Sequence, residues 1–179
     1  IKVIEYLCET DLDSPHYLRL GRQPVEDIDI PFEFGKGQIV REGTDITIFS
    51  TGCILGEVLK AAEEIEKEYY SVRVVNISTL KPIDEDIIVK CANETEMLFT
   101  VEDHTVVGGL GSAVSEVLTD KCPTKLYRLG LDDVFPESAS PDDLYTKYML
   151  SSEEIAWTVI DRWSKATYEE AGFGDLIGE

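Results

Sequence analysis

Val101-Glu-Asp-His-Thr-Val-Val-Gly-Gly-Leu-Gly-Ser-Ala-Val-Ser-Glu-Val-Leu118 decides how the rest of the chain is read. Leu98 to Val101 has the character of a buried strand. Gly108, Gly109 and Gly111 let the backbone turn sharply, and Ala113, Val114, Val117 and Leu118 recur on one helical face. A strand feeding a helix through glycines is one unit of an α/β protein, and such turns gather ligands at the carboxyl edge of a sheet. Two readings stay open. Glu102, Asp103 and His104, at the expected strand end, supply a candidate general base, and Gly108-Gly-Leu-Gly-Ser112 can offer N–H groups to a phosphate at a helix N-terminus. Against this, no serine or cysteine stands at a nucleophile elbow, and the turn lacks both G-x-G-x-x-G spacing and a P-loop lysine. The same residues equally serve to cap the next turn and to let strand and helix pack closely.

The flanking sequence repeats the strand-then-helix pattern. Ile46-Thr-Ile-Phe49 is a strand that turns through Ser50-Thr-Gly-Cys53 into a helix from about Ile54 to Glu68. Ile54, Leu55, Val58, Leu59, Ala62 and Ile65 share its inner side, with Glu57, Lys60, Glu63, Glu64 and Lys67 on a solvated outer face. Val72 to Ile77 is the next strand. After Leu80-Lys-Pro-Ile-Asp84, Asp84 caps a helix and Ile83 can pack on Ile88 as a hydrophobic staple. Lys125 to Leu129 is a further strand, and Pro141 to Tyr148 a short helix. Ser151-Ser-Glu-Glu154 is a capping box for a last helix with Ile155, Val159 and Trp163 on one side. This order predicts a three-layer α/β/α domain around a mostly parallel sheet of about five strands.

Before this domain, Ile1 to Cys8 has helical spacing but no capping residue ahead of it, and reads as the edge of a fragment. Tyr17-Leu-Arg-Leu20 alternates as a short strand ending at Gly21-Arg22. The expected organisation is residues 1–22 as the end of a preceding domain, 23–37 as a linker, 38–165 as the main domain and 166–179 as a loose acidic tail. Arg22 follows the expected strand where the chain crosses between domains. Its guanidinium suits a bidentate grip on a phosphate, although spacing alone favours an interdomain ion pair.

Sixteen Lys and Arg against thirty-six Asp and Glu give a formal charge of -20, which disfavours nucleic acid and anionic membranes as partners. Cys8, Cys53, Cys91 and Cys122 have neither zinc-site spacing nor the density of a disulfide scaffold. With no apolar run of about eighteen residues and no targeting segment, the expected location is the cytoplasm.

Tyr17-Leu-Arg-Leu-Gly-Arg22, Ile46-Thr-Ile-Phe-Ser-Thr-Gly52, Val74-Val-Asn-Ile-Ser-Thr-Leu-Lys-Pro-Ile-Asp84 and Val101 to Val114 together resemble the C-terminal part of transketolases. Among these, the C-terminal subunit of split bacterial and archaeal transketolases is the most similar. Related third domains occur in 1-deoxyxylulose-5-phosphate synthase and in the beta subunits of pyruvate-dehydrogenase-type decarboxylases. Leu80 to Asp84 and Glu102 to His104 favour transketolase.

The resemblance implies a transferase of the pentose phosphate pathway that moves a two-carbon ketol unit between sugar phosphates. It implies thiamine diphosphate and magnesium as cofactors, held by domains this chain does not contain, so that the fragment alone binds neither and is inactive. It also implies an N-terminal subunit as partner, a homodimer formed through the C-terminal domain, and Arg22 on the substrate phosphate. Arg19 is the lesser candidate for that role. Glu102, Asp103 and His104 then belong to folding and assembly. The competing class is a non-catalytic domain that binds a regulatory anion or a partner through the glycine turn.

Overall fold

Five strands build one sheet in the computed structural model. It describes residues 2–10, 14–21, 23–25, 28 and 30–170, with side chains to residue 167. The strands are β1 (Gln38–Arg41), β2 (Ile46–Ser50), β3 (Val72–Asn76), β4 (Met97–Thr105) and β5 (Leu126–Leu131). Their spatial order is β1-β3-β2-β4-β5. The β3-β2-β4-β5 pairs are parallel and β1 joins β3 antiparallel, which supplies the fifth strand of the expected mostly parallel sheet. β1 thus forms one edge of the sheet.

Helices α1 (Lys2–Glu9), α2 (Leu55–Lys67), α3 (Glu85–Glu94), α4 (Leu110–Lys121), α5 (Pro141–Lys147) and α6 (Ser152–Glu170) complete the chain. Strand periodicity sorts the core into two layers. Ile46, Ile48, Val72, Val74, Phe99 and Val101 pack with Leu55, Val58, Ala62 and Ile65 of α2 and Ile155 and Val159 of α6. Phe49, Val75 and Leu98 face Ile88 of α3 and Leu110, Val114 and Leu118 of α4 on the other side. Each such side chain, once fully buried, contributes about 1.5–3 kcal/mol. The three-layer α/β/α architecture is therefore the observed one.

The signals around Asp84 act as read. Asp84 Oδ1 accepts from Ile87 N at 3.4 Å, and Ile83 lies against the same core cluster as Ile88. Asp84 also ties the linker down, since its Oδ2 accepts from Gly37 N at 3.0 Å. The capping box expected at Ser151 takes another form: Ser151 Oγ donates to the Glu154 Oε2 carboxylate at 3.1 Å, a bond between side chains that satisfies no helix amide.

Three further expectations need correction. Tyr17 to Leu20 forms no strand: Tyr17 and Leu20 are 89% and 68% exposed, and alternation without a sheet face to bury it has no ladder to hold it. Residues 166–170, assigned to the tail, continue α6. Ala166 packs on the core and Thr167 Oγ1 donates back to Trp163 O at 3.0 Å, while the chain's last glycines lie further on. Residues 171–179 lie outside the described residues. Finally, Glu57 belongs to more than a solvated face, because its Oε2 accepts from Ser152 N at 3.0 Å and so caps α6 from α2.

Candidate functional site

β2 and β3 end together at the paired Ser50 and Asn76, whereas β4 runs on to Thr105, paired there only with β5. Glu102, Asp103 and His104 therefore overhang the carboxyl edge of the sheet rather than terminate a strand. Strand alternation then divides them. Glu102 points to the α4 side and Asp103 to the α2 side, so the triplet does not converge on one reaction centre.

Glu102 is 1% exposed, and both of its oxygens are committed to the first turn of α4. Leu110 N donates to Oε2 at 2.7 Å and Gly111 N to Oε1 at 2.8 Å. A carboxylate here satisfies two of the orphan donors of the helix and sits in the positive end of its dipole. The neighbouring amides are also taken: Val107 N donates to Thr105 Oγ1 at 3.3 Å and Gly108 N to Ser112 Oγ at 2.9 Å. A side chain on Gly109 would place its Cβ 1.9 Å from Glu102 Oε2, so glycine is what lets the carboxylate reach the helix. The turn that suggested a phosphate cradle already holds an anion, the protein's own.

His104 is half-exposed, and its Nδ1 lies 2.9 Å from Thr105 O, where the ring nitrogen must be the donor. Glu102 Oε2 is 4.0 Å from the same atom. Among the described residues no hydrogen bond or ion pair joins His104 to a hydroxyl or thiol, and its ring is held against the backbone at Thr105 O.

On the other face, Asp103 meets residues far away in sequence. Arg19 Nη1 approaches Asp103 Oδ1 at 3.5 Å. Cys53, in the short turn before α2, and Tyr145 of α5 share its electrostatic surroundings. Gln23 Nε2 donates to Tyr145 Oη at 3.0 Å, and Gln23, Asp103, Leu131, Leu144 and Tyr145 line a cavity of about 250 Å³. Burial pushes the Asp103 carboxyl above its ordinary value, with Arg19, its own backbone amide and His104 pulling the other way. Burial raises the Cys53 thiol too, and Asp103 adds to it. Gln23, Cys53 and Tyr145 carried no signal as a group in the sequence, since Gln23 and Tyr145 meet only through the fold.

Arg22, the candidate phosphate ligand, lies outside the described residues. Ser50, Gly52 and Cys53 lie at the end of β2 and in the short 3-10 turn leading to α2; Ser50 O accepts from Ile77 N at 2.8 Å, which makes the segment a packing junction.

Asp103 gives a prediction. A proton held more tightly in the folded than in the unfolded state stabilises the fold fully below the ordinary carboxylate pKa, and that contribution is lost as pH rises through the raised value. Urea unfolding of the wild type and Asp103→Asn across acid to neutral pH should show the wild type's relative stability falling as Asp103 ionises. A rise instead would mean that Arg19 outweighs burial.

Glu102 fills the glycine-rich helix N-terminus that had suggested a phosphate cradle, and among the described residues no group of three or more His, Cys, Asp or Glu could hold a metal ion. No described helix is long and apolar enough to cross a membrane.

Comparison with known proteins agrees with the fold. The C-terminal domain of transketolase matches residues 35–155. A 6-deoxy-6-sulfo-D-fructose transketolase subunit from Clostridium sp. is 41% identical over 146 residues, covering 80% of this chain and 45% of that subunit. The 1-deoxy-D-xylulose-5-phosphate synthase of Caldanaerobacter subterraneus is 36% identical over 163 residues, 87% of this chain and 26% of the synthase. Among solved structures, a split gene transketolase described as an inactive beta4 tetramer superposes with a TM-score of 0.82 at 39% identity, covering 89% of this chain and 52% of that one. The chain thus spans about half the length or less of these relatives. With the four sequence motifs, the sheet order and this match in agreement, the chain belongs to the transketolase C-terminal domain family.

Proposed function

We propose that this chain is the C-terminal section of a transketolase that transfers a two-carbon ketol unit between sugar phosphates. It works with a pyrimidine-binding domain and an N-terminal subunit that carry thiamine diphosphate and magnesium. In that assembly it serves cohesion, including a homodimer formed through this domain, and residues 1–22 close the preceding domain. Arg22 grips the substrate phosphate. The enzyme acts in the cytoplasm on pentose phosphates. The observation that supports this reading most is the match to a split gene transketolase over 89% of the chain. Relatives named for a sulfonated sugar and for a synthase leave the sugar to be established by assay.

The alternative, a domain that binds a regulatory anion at the glycine turn, is disfavoured by Glu102, which already occupies the two amides at its centre. The test is enzymatic. The complete subunit mixed with its N-terminal partner should transfer a ketol unit from xylulose 5-phosphate to ribose 5-phosphate. Inactivity with these sugars together with turnover of pyruvate would assign the chain to the synthase or dehydrogenase relatives instead.

A further inference from the structure

β5 closes one side of the sheet, and among the described residues no strand pairs with its outer edge. The two edges of the sheet differ. β1 has four residues and an irregular register beside Arg41, features that blunt an edge against further pairing. β5 has six, Leu126-Tyr-Arg-Leu-Gly-Leu131, without proline. Val101 pairs with Leu129 and Thr105 with Leu131, so the extra residues of that irregularity lie on β4 and β5 itself is unbroken. Leu131 O accepts from Val106 N at 3.0 Å, on the β4 side. By alternation Leu126, Arg128 and Gly130 turn their N–H and C=O groups outward. Two nearby features have no use within one chain. Phe135, just beyond β5, is fully exposed, with Val134 half-exposed beside it. At the other end of the strand, Leu118, Pro123, Thr124 and Leu126 help to line a cavity of about 340 Å³.

We propose that a second copy of this chain docks on β5, antiparallel, about a two-fold axis at Leu129. This deepens the homodimer proposed above and rests on it. A two-fold axis through an antiparallel pair passes through a residue that faces its own copy. Centring on Arg128 sets two guanidiniums face to face, and centring on Tyr127 or Gly130 pairs only half of the strand. Centring on Leu129 puts Arg128 opposite the partner's Gly130, Tyr127 opposite the partner's Leu131 and Lys125 opposite the partner's Asp133, an attractive charge pair. Tyr127, Leu129 and Leu131, already partly buried on the first core layer, then continue that layer across the axis. The same register brings Val134 and Phe135 of each copy level with Thr124 and Pro123 of the other. The exposed aromatic ring of one copy thus meets the hollow of its neighbour, twice over.

Sedimentation equilibrium of the full chain tests this. Arg128→Pro removes an outward N–H and no bond to β4, so it should weaken the dimer roughly a hundredfold with little change in melting temperature. Phe135→Ala should weaken it roughly tenfold. Lys125→Asp should also weaken it, by facing Asp133 with a like charge, and adding Asp133→Lys should restore it. A dimer that ignores Arg128→Pro and Lys125→Asp would overturn the β5 surface and leave the homodimer standing on another face. A wild type that stays monomeric at the highest concentration reached would overturn both. Should Arg128→Pro lower the melting temperature, the charge swap decides, and failure of Asp133→Lys to rescue Lys125→Asp would overturn the proposal.

Discussion

Glu102→Ala should destabilise the fold by about 4 kcal/mol, because it strands two buried N–H donors that cost about 1–3 kcal/mol each and leaves a void beneath α4. For a domain of this size that lowers the melting temperature by roughly 10 °C. Glu102→Gln should cost about half as much, since one amide oxygen can still accept while its NH2 group faces the second donor. A double-mutant cycle makes the claim specific. Gly109→Ala is damaging alone because its Cβ would fall on Glu102 Oε2, yet it should add little once Glu102→Ala has removed that carboxylate. Additive losses in urea unfolding would show that the glycine and the carboxylate act independently, and the account of the turn would fail.

Arg22→Ala should leave the fold near its wild-type stability and remove about 3 kcal/mol of interaction with a phosphorylated substrate, the worth of one or two charge-assisted bonds. That is roughly a hundredfold loss in kcat/KM for ribose 5-phosphate, carried chiefly by KM, with much less change for glycolaldehyde. Arg22→Lys should recover only part of it, because an ammonium keeps the charge but not the planar fork. Steady-state kinetics of the assembled enzyme with the two acceptors checks both statements. Equal losses on the two acceptors would remove the phosphate from the explanation.

Local rules made most of the sheet readable. Ile46 to Phe49, Val72 to Ile77 and Lys125 to Leu129 are short apolar runs between polar breaks, and Asp84 is a cap whose partner lies three residues on, so near-neighbour chemistry suffices. Tyr17 to Leu20 misled for the complementary reason. Its alternation is real, but a strand exists only with a neighbour, and none of the described strands pairs with it. Gln38 to Arg41 escaped as a strand because a four-residue edge beside a glycine-rich linker has too little pattern to stand out.

The polar cluster shows the same limit at the level of the site. Glu102, Asp103 and His104 are adjacent in sequence and looked like one constellation, yet the two-residue period of β4 sends Glu102 and Asp103 to opposite faces. Asp103 pairs with Arg19 and shares its electrostatic surroundings with Cys53, and the bond of Gln23 to Tyr145 spans the domain. Only the folded sheet edge assembles that group. What the glycines did announce correctly was close approach, and the partner proved to be Glu102 rather than a phosphate.

The central claim is that this chain supplies scaffold and substrate positioning to chemistry performed in other parts of the enzyme. Ketol transfer from xylulose 5-phosphate to ribose 5-phosphate, measured on the chain alone and again after addition of the pyrimidine-binding domain and the N-terminal subunit with thiamine diphosphate and magnesium, tests it most directly. The account predicts no turnover by the chain alone and turnover on assembly. Turnover by the chain alone, or an assembly that stays inactive with both sugar phosphates, would contradict it.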